Sequence, residues 1–323
     1  MPQPRRPPAP DDLAYQNSPG RRVHYKAYQR GTDATALGQL LLHLPGFLMS
    51  LVVVLTASGT LDTMTGLPYW LPPLLWIASG ALVFHRPTED YFARYLLKLQ
   101  RPMPREADRL EPIWREVTAR AGVDGKRYEL WIENSEDLNA LAAAGHIVGV
   151  TRFALEQLPS AQLAAVLAHE LGHHTGGHAW SSLLGYWYSL PGRIAWRVIR
   201  DVVVFVVTVT RAVSVTATAV LVLVIAAIAF AATVVFYGLP LVLFAIPYLM
   251  AAVGRRGELR ADEHAAALGF APMLTEVLTT MHAMELRAAK KPGAPRASAQ
   301  LLSTHPDYPT RIRRLQAYMD TRR

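Results

Sequence analysis

The chain has 323 residues, enough for one or two domains, and 51% of them are hydrophobic, which favours a membrane protein over a soluble enzyme. It contains no cysteine, so disulfides, thiolate-bound zinc and a thiol nucleophile are all excluded. A net charge of +8 suits nucleic acid or an anionic membrane surface, and the placement of the basic residues decides between the two.

Residues 1–35 are rich in Pro, Arg and polar residues and read as a disordered basic tail, with no apolar run that would mark a cleavable signal. Ala36 to Ala57 is dominated by Leu and Val and carries no formal charge, and roughly 20 such residues cross a bilayer. Leu67 to Phe84 makes a second expected span, with Tyr69, Trp70 and Trp76 as interfacial aromatics, so that 36–85 forms a transmembrane hairpin. Arg21, Arg22, Lys26 and Arg30 precede the hairpin, Arg86, Arg94, Lys98, Arg101 and Arg105 follow it, and its own loop has no basic residue. Lys and Arg are enriched on the cytoplasmic side, so the N-terminus and the segment after Phe84 are expected there. Topology thus explains the basic balance, and no nucleic-acid partner is needed.

An amphipathic pattern through Leu110, Ile113, Trp114 and Val117 predicts a helix over Ala107 to Ala121, ended by Gly122. Arg127 to Ile132 alternates as a strand, and His146 to Thr151 is a second β-rich run. Between them lies Asn139-Ala140-Leu141-Ala142. A small sheet of this kind lets an extended peptide add to a strand edge through main-chain hydrogen bonds, although on pattern alone Asn139 is equally a turn residue.

Ser160, read as an N-cap, then opens a run of strong helix formers that reaches His169-Glu170-Leu171-Gly172-His173. This is H-E-x-x-H. On a helix, His169 and His173 lie about 40° apart and one turn apart in height, so both imidazoles can reach one metal ion. Glu170 is carried beside the open coordination position, where it can take a proton from water. These are the parts of a zinc hydrolase, and the helix is expected to end at Gly176-Gly177.

Beyond a basic cluster at Arg193, Arg197 and Arg200, no Asp, Glu, Lys, Arg or His occurs from Ala212 to Gly254. That length suits two spans broken at Gly238-Leu239-Pro240, with the first limb beginning either near Ala212 or near Val202. The second hairpin is placed at 201–254. Arg255-Arg256 then returns the chain to the cytoplasmic side.

A catalytic zinc site usually has three protein ligands. A third His six residues after His173 is excluded, because Ala179 stands there. Glu258 and Asp262 are spaced i, i+4 on a later helix, so Glu258 can bind the metal while Asp262 accepts a hydrogen bond from a ligand imidazole. Alone the pair reads as a solvated helix face; beside H-E-x-x-H and straight after a membrane span, the ligand reading is preferred.

Together, Asn139-Ala140-Leu141-Ala142, His169-Glu170-x-x-His173, Glu258-x-x-Ala261-Asp262 and Ser303-Thr304-His305-Pro306 with Arg311-Ile312 resemble the membrane-embedded zinc metalloproteases that include HtpX and the CAAX prenyl endopeptidase. The two hydrophobic pairs resemble the HtpX arrangement more closely. The resemblance implies that Asn139 and Ala140 belong to a substrate-binding edge strand and that His305 and Arg311 face the scissile carbonyl as oxyanion donors. Leu141 and Leu259 replace aromatic residues common in the family, without removing chemistry.

His174 and His178 lie about 100° and 140° from His173, off the ligand face, and surface or packing roles are expected of them. Lys290 to Pro295 reads as a solvated linker. The expected whole is a mainly α integral membrane protein with about four transmembrane helices and a cytoplasmic, zincin-like α+β domain with a small sheet, assembled from 86–200 and 255–323. It is expected to sit in the plasma or inner membrane with both termini cytoplasmic, to hold one zinc ion, and to cleave membrane-protein or peptide substrates in a quality-control role. A prenyl-peptide endopeptidase, or a non-proteolytic sensor or scaffold with the same fold, is the alternative.

Overall fold

The computed structural model describes residues 34–135, 140–143, 145–235, 239–289 and 305–321. Asn139 and the 290–295 linker lie outside them. The chain is mainly helical with a small mixed sheet, and divides into two compact units, each interrupted in sequence.

Unit 1 takes in 34–39, 82–183 and 251–321 among the described residues. Its sheet has the order β1-β2-β4-β3, where β1 is Leu99–Gln100, β2 Glu129–Glu133, β3 Ala140–Ala143 and β4 Ile147–Thr151. β2 and β4 run parallel with Trp131 opposite Gly149, while β3 lies antiparallel on the outer side of β4 with Ala143 opposite Ile147. β4 is buried throughout, and β3 is half-buried at the sheet edge. The strand expected from Arg127 starts two residues later, because the Asp124 side chain accepts the Lys126 N–H and turns Gly125–Arg127 into a 3-10 helix.

The core packs the sheet chiefly against three helices, with smaller contributions from others such as Leu155, Ala265 and Leu315. Helix Pro104–Ala121 begins three residues before the expected start, with Pro104 at its first position and the Glu106 carboxylate accepting the Met103 N–H at 2.8 Å. It ends where expected, at Gly122 in the left-handed region (φ 67°). Its buried Leu110, Ile113, Trp114 and Val117 share one core with Val148 and Val150 of β4 and with Leu163, Leu167 and Leu171 of the motif helix Ser160–Gly176. Phe270, Leu274 and Val277, at the start of helix Ala271–Ala289, complete it.

Pro159, not Ser160, caps the motif helix. Ser160 is already helical and no side chain caps the turn, a correction to the expected Ser N-cap. The far end closes as expected, with Gly177 at φ 84°.

Unit 2 takes in 40–81 and 184–250. Helix Leu44–Thr65 runs beside the first turns of the long helix His178–Val213 at points where small residues meet. Gly46 abuts Ser189, and the Gly192 N–H donates to Ser50 Oγ at 2.9 Å. Phe47, Trp76 and Tyr188 stack around that contact, and the Tyr188 hydroxyl donates to the Ile77 carbonyl. The region expected as the second span is helix Leu71–Ser79 followed by 3-10 helix Gly80–Phe84, roughly 24 Å in all and short of a ~30 Å hydrocarbon layer.

Among the described residues, two helices are long and apolar enough to cross a membrane by length and composition, Ala34–Thr65 and Val215–Val235. Of their most apolar windows only 6% and 0% is buried, whereas a core helix of a soluble protein would be largely covered. Helix His178–Val213 runs unbroken through Asp201, and the Ser214 N–H to Thr210 O and Thr218 N–H to Ser214 O bonds carry the ladder on into Val215–Val235.

Candidate metal centre

The motif helix delivers two imidazoles to one place. The rings of His169 and His173 lie 4.9 Å apart between centroids and nearly perpendicular, as one helical turn dictates. Helix Leu239–Ala267 brings the third donor, because the two helices touch backbone to backbone: a Cβ built on Gly172 would lie 2.9 Å from the Ala261 Cα. Only glycine permits that approach. Glu258, three residues before Ala261, then sets Oε2 at 3.5 Å from His169 Nε2 and Oε1 at 3.3 Å from His173 Nε2.

Behind this trio sits a buried ion network. The His169 Nδ1–H donates to Asp262 Oδ1 at 2.9 Å, which turns Nε2 toward Glu258. Asp262 in turn receives Arg311, Nε at 2.8 Å and Nη2 at 2.6 Å, in a bidentate fork. A third guanidinium nitrogen of Arg311, Nη1, lies 3.3 Å from Glu258 Oε2. Arg311 stands in the first turn of helix Tyr308–Asp320, whose N-cap Asp307 accepts the Thr310 N–H.

The electrostatics follow from this packing. Burial opposes charge on Glu258, but hydrogen bonds from His169, His173 and His305 outweigh it and hold the carboxyl far below the usual range. Burial likewise opposes charge on Asp262, and the Arg311 and His169 hydrogen bonds keep it ionised. Burial lowers the His169 pKa, yet its bonds to Asp262 and Glu258 carry it up to about 10. A cation held at Nε2 would compete with a proton there.

The residues present fit such a cation. One donor atom from each of His169, His173 and Glu258 lies within 4.8 Å of the other two, and a two-nitrogen, one-carboxylate set suits zinc with a position left open. Glu170 is buried on the same helix, one residue from His169. His305 Nδ1 approaches Glu258 Oε2 to 3.1 Å from a ring that is 67% exposed. The Glu258 hydrogen bond raises the His305 pKa. Ala140 opens edge strand β3, opposite Val150.

Of the surface and packing roles expected of it, His174 takes the packing one. It is buried, its Nε2–H donates to the Ile147 carbonyl at 2.8 Å, and its ring meets Tyr128 edge-on at 5.2 Å. Desolvation drives its pKa down to about 4, so it stays neutral. The motif helix is thereby tied to the first residue of β4. The only sequence signal for this was its position on an otherwise apolar face. The His178 side chain lies outside the described residues.

A helix-borne His pair, a carboxylate from a second helix and a buried acid behind one imidazole define a metal-dependent hydrolase site. Residues 104–319 match the sequence model of peptidase family M48, and the chain belongs to that family, which contains HtpX and the CAAX protease. It is a metallopeptidase. No curated protein is similar enough to the chain to match it.

Proposed function

We propose that the protein is a membrane-bound zinc endopeptidase of the HtpX kind, with zinc on His169, His173 and Glu258. The convergence of these three donors, backed by the Asp262–Arg311 pair, carries the reading. Zinc in this place supplies Lewis acidity toward water and the scissile carbonyl. Glu170 takes a proton from the attacking water and returns it to the leaving amine. His305, exposed and pointing at Glu258, donates toward the developing oxyanion. Arg311 spends its donors on Asp262 and Glu258, so in this reading it acts by holding a ligand set rather than by touching the carbonyl.

β3 lies at the edge of the sheet. Such edges are usually guarded by charge, proline or a bulge, but Ala140-Leu141-Ala142-Ala143 is uncharged, and among the described strands it pairs with β4. An extended substrate adding there would lie beside the motif helix, with Asn139 and Ala140 at the start of the binding strand. The two apolar, uncovered helices support anchorage in a bilayer, with the catalytic unit and both termini on the cytoplasmic side. Membrane proteins or peptides near the inner surface are then the substrates, in a quality-control role.

The test is to purify the protein in detergent, measure zinc, and compare cleavage of an unfolded membrane protein by the native chain and Glu170→Gln. A loss of at least about 10³-fold with zinc retained is expected. Equal cleavage by both would sink the mechanism. Glu258→Ala is expected to lose zinc, and full occupancy in that variant would refute the ligand assignment.

A further inference from the structure

Among the described residues, Glu89 is the one buried acid that the metal centre does not use. It lies in the short helix Arg86–Tyr91, five residues after the apolar segment that ends at Phe84, and is only 3% exposed. Both its oxygens are engaged at the same turn: Oε1 accepts the Gly145 N–H at 3.2 Å, and Oε2 accepts the His146 Nδ1–H at 2.9 Å. A Cβ on Gly145 would stand 3.3 Å from Oε1, tight enough that glycine eases the approach.

Residues 145–147 lead from β3 into β4. The His146 carbonyl accepts the Glu129 N–H at 2.7 Å, and the next carbonyl, that of Ile147, accepts His174 from the motif helix. The turn is therefore clamped from three sides, by Glu89, by β2 and by the residue adjoining His173. β3 packs on both faces, Ala140 against the main core and Leu141 and Ala143 against the Trp131 cluster, and a slip of one residue would turn every side chain to the other face, so the turn that joins it to β4 bears on its register.

We propose that Glu89 is a positioning residue for substrate: through the Gly145-His146 turn it sets the register and height of β3 relative to the metal ligands. The inference rests on the reading of β3 as the edge that receives substrate. It also gives the segment after the first apolar hairpin a hold on the binding strand.

The experiment uses the full-length, zinc-loaded protein in detergent and two fluorogenic peptides with the same scissile pair, one of ten residues and one of three. Glu89→Ala is expected to raise KM for the long peptide about tenfold, as loss of a buried charged hydrogen bond implies. Its kcat should stay within about twofold, with zinc content and short-peptide kinetics unchanged. Glu89→Gln, which keeps an acceptor for the Gly145 N–H, is expected to recover most of the loss. An equal fall on both peptides, a fall in kcat alone, or no change overturns the proposal.

Amide exchange over residues 140–143 in the inactive Glu170→Gln protein separates this failure from that of the underlying reading. The long peptide should slow exchange there, and should do so less when Glu89→Ala is added. Protection equal in both variants refutes the role of Glu89. Protection of other segments but not of 140–143 refutes β3 as the substrate edge, and the proposal falls with it.

Discussion

The two units relate to water in opposite ways. Unit 1 gathers five ionisable side chains, His169, Glu170, Glu258, Asp262 and Arg311, into its interior, each less than a tenth exposed. Unit 2 buries Ser50 and Ser189 at helix contacts and turns large apolar groups outward, Val215 at 77% and Leu223 at 68% exposed. Charge inside unit 1 is tolerable where the groups answer one another, as His169, Glu258, Asp262 and Arg311 do, so removing one of these strands the others. Apolar surface outside unit 2 is tolerable where the surroundings are themselves apolar. The first unit is defined by internal pairing and the second by its environment.

Removing one charge tests the first half of that contrast. Arg311→Ala leaves Asp262 buried without its guanidinium and is expected to destabilise the folded protein by about 3–5 kcal/mol, read as a lowered Tm. Zinc affinity should fall about 10–100-fold in equilibrium dialysis. An unchanged Tm would mean that the network is not closed as described.

Acid tests it next. The His174 pKa is lowered in the fold from 6.5 to about 4, so the unfolded chain binds the proton more readily than the folded one. The neutral ring's contribution is thus complete above pH 6.5 and is lost as pH falls toward 4, by about 3 kcal/mol in all. In chelator, the melting temperature of the native protein should drop across this window more steeply than that of His174→Gln, whose amide still donates to Ile147 but does not titrate. Parallel curves would remove His174 as the source.

The environment of unit 2 is tested by Leu223→Asp. In a bilayer-facing position it should oppose insertion by about 2.5–3.5 kcal/mol and increase the fraction extracted by carbonate, with zinc content unchanged. No change in extraction would place that face against water or protein. The smallest effect is expected of Gly172→Ala, which presses a methyl group toward the Ala261 backbone. A loss of about 1–3 kcal/mol, with weaker zinc binding because Glu258 moves away, should appear in melting and dialysis.

Much of unit 1 was legible locally. Gly122 and Gly177 end helices because only glycine enters the left-handed region freely, and the His169–His173 spacing follows from helical pitch alone. Glu258 and Asp262 were found by the donor types zinc requires, and they meet His169 as the i, i+4 spacing implied. What stayed hidden depends on contacts distant in sequence: His174 on a carbonyl 27 residues back, and Glu89 on a turn 56 residues ahead. The order β1-β2-β4-β3, which leaves β3 at the edge, is likewise a tertiary result. Pro159 displaced Ser160 from the cap because its own φ of −55° and ψ of 154° already make the turn into the helix. In unit 2, Arg200 and Asp201 pair with each other on an exposed helix face without interrupting the ladder of helix His178–Val213.

The Arg311–Asp262 fork also orders events in time. Its two members are 49 residues apart, and Arg311 lies 142 residues beyond His169. A nascent chain that has emerged only through helix Leu239–Ala267 has all three metal-binding side chains but no guanidinium to offset Asp262 and steady Glu258. The ion network of His169, Glu258 and Asp262 is closed only when helix Tyr308–Asp320 is in place.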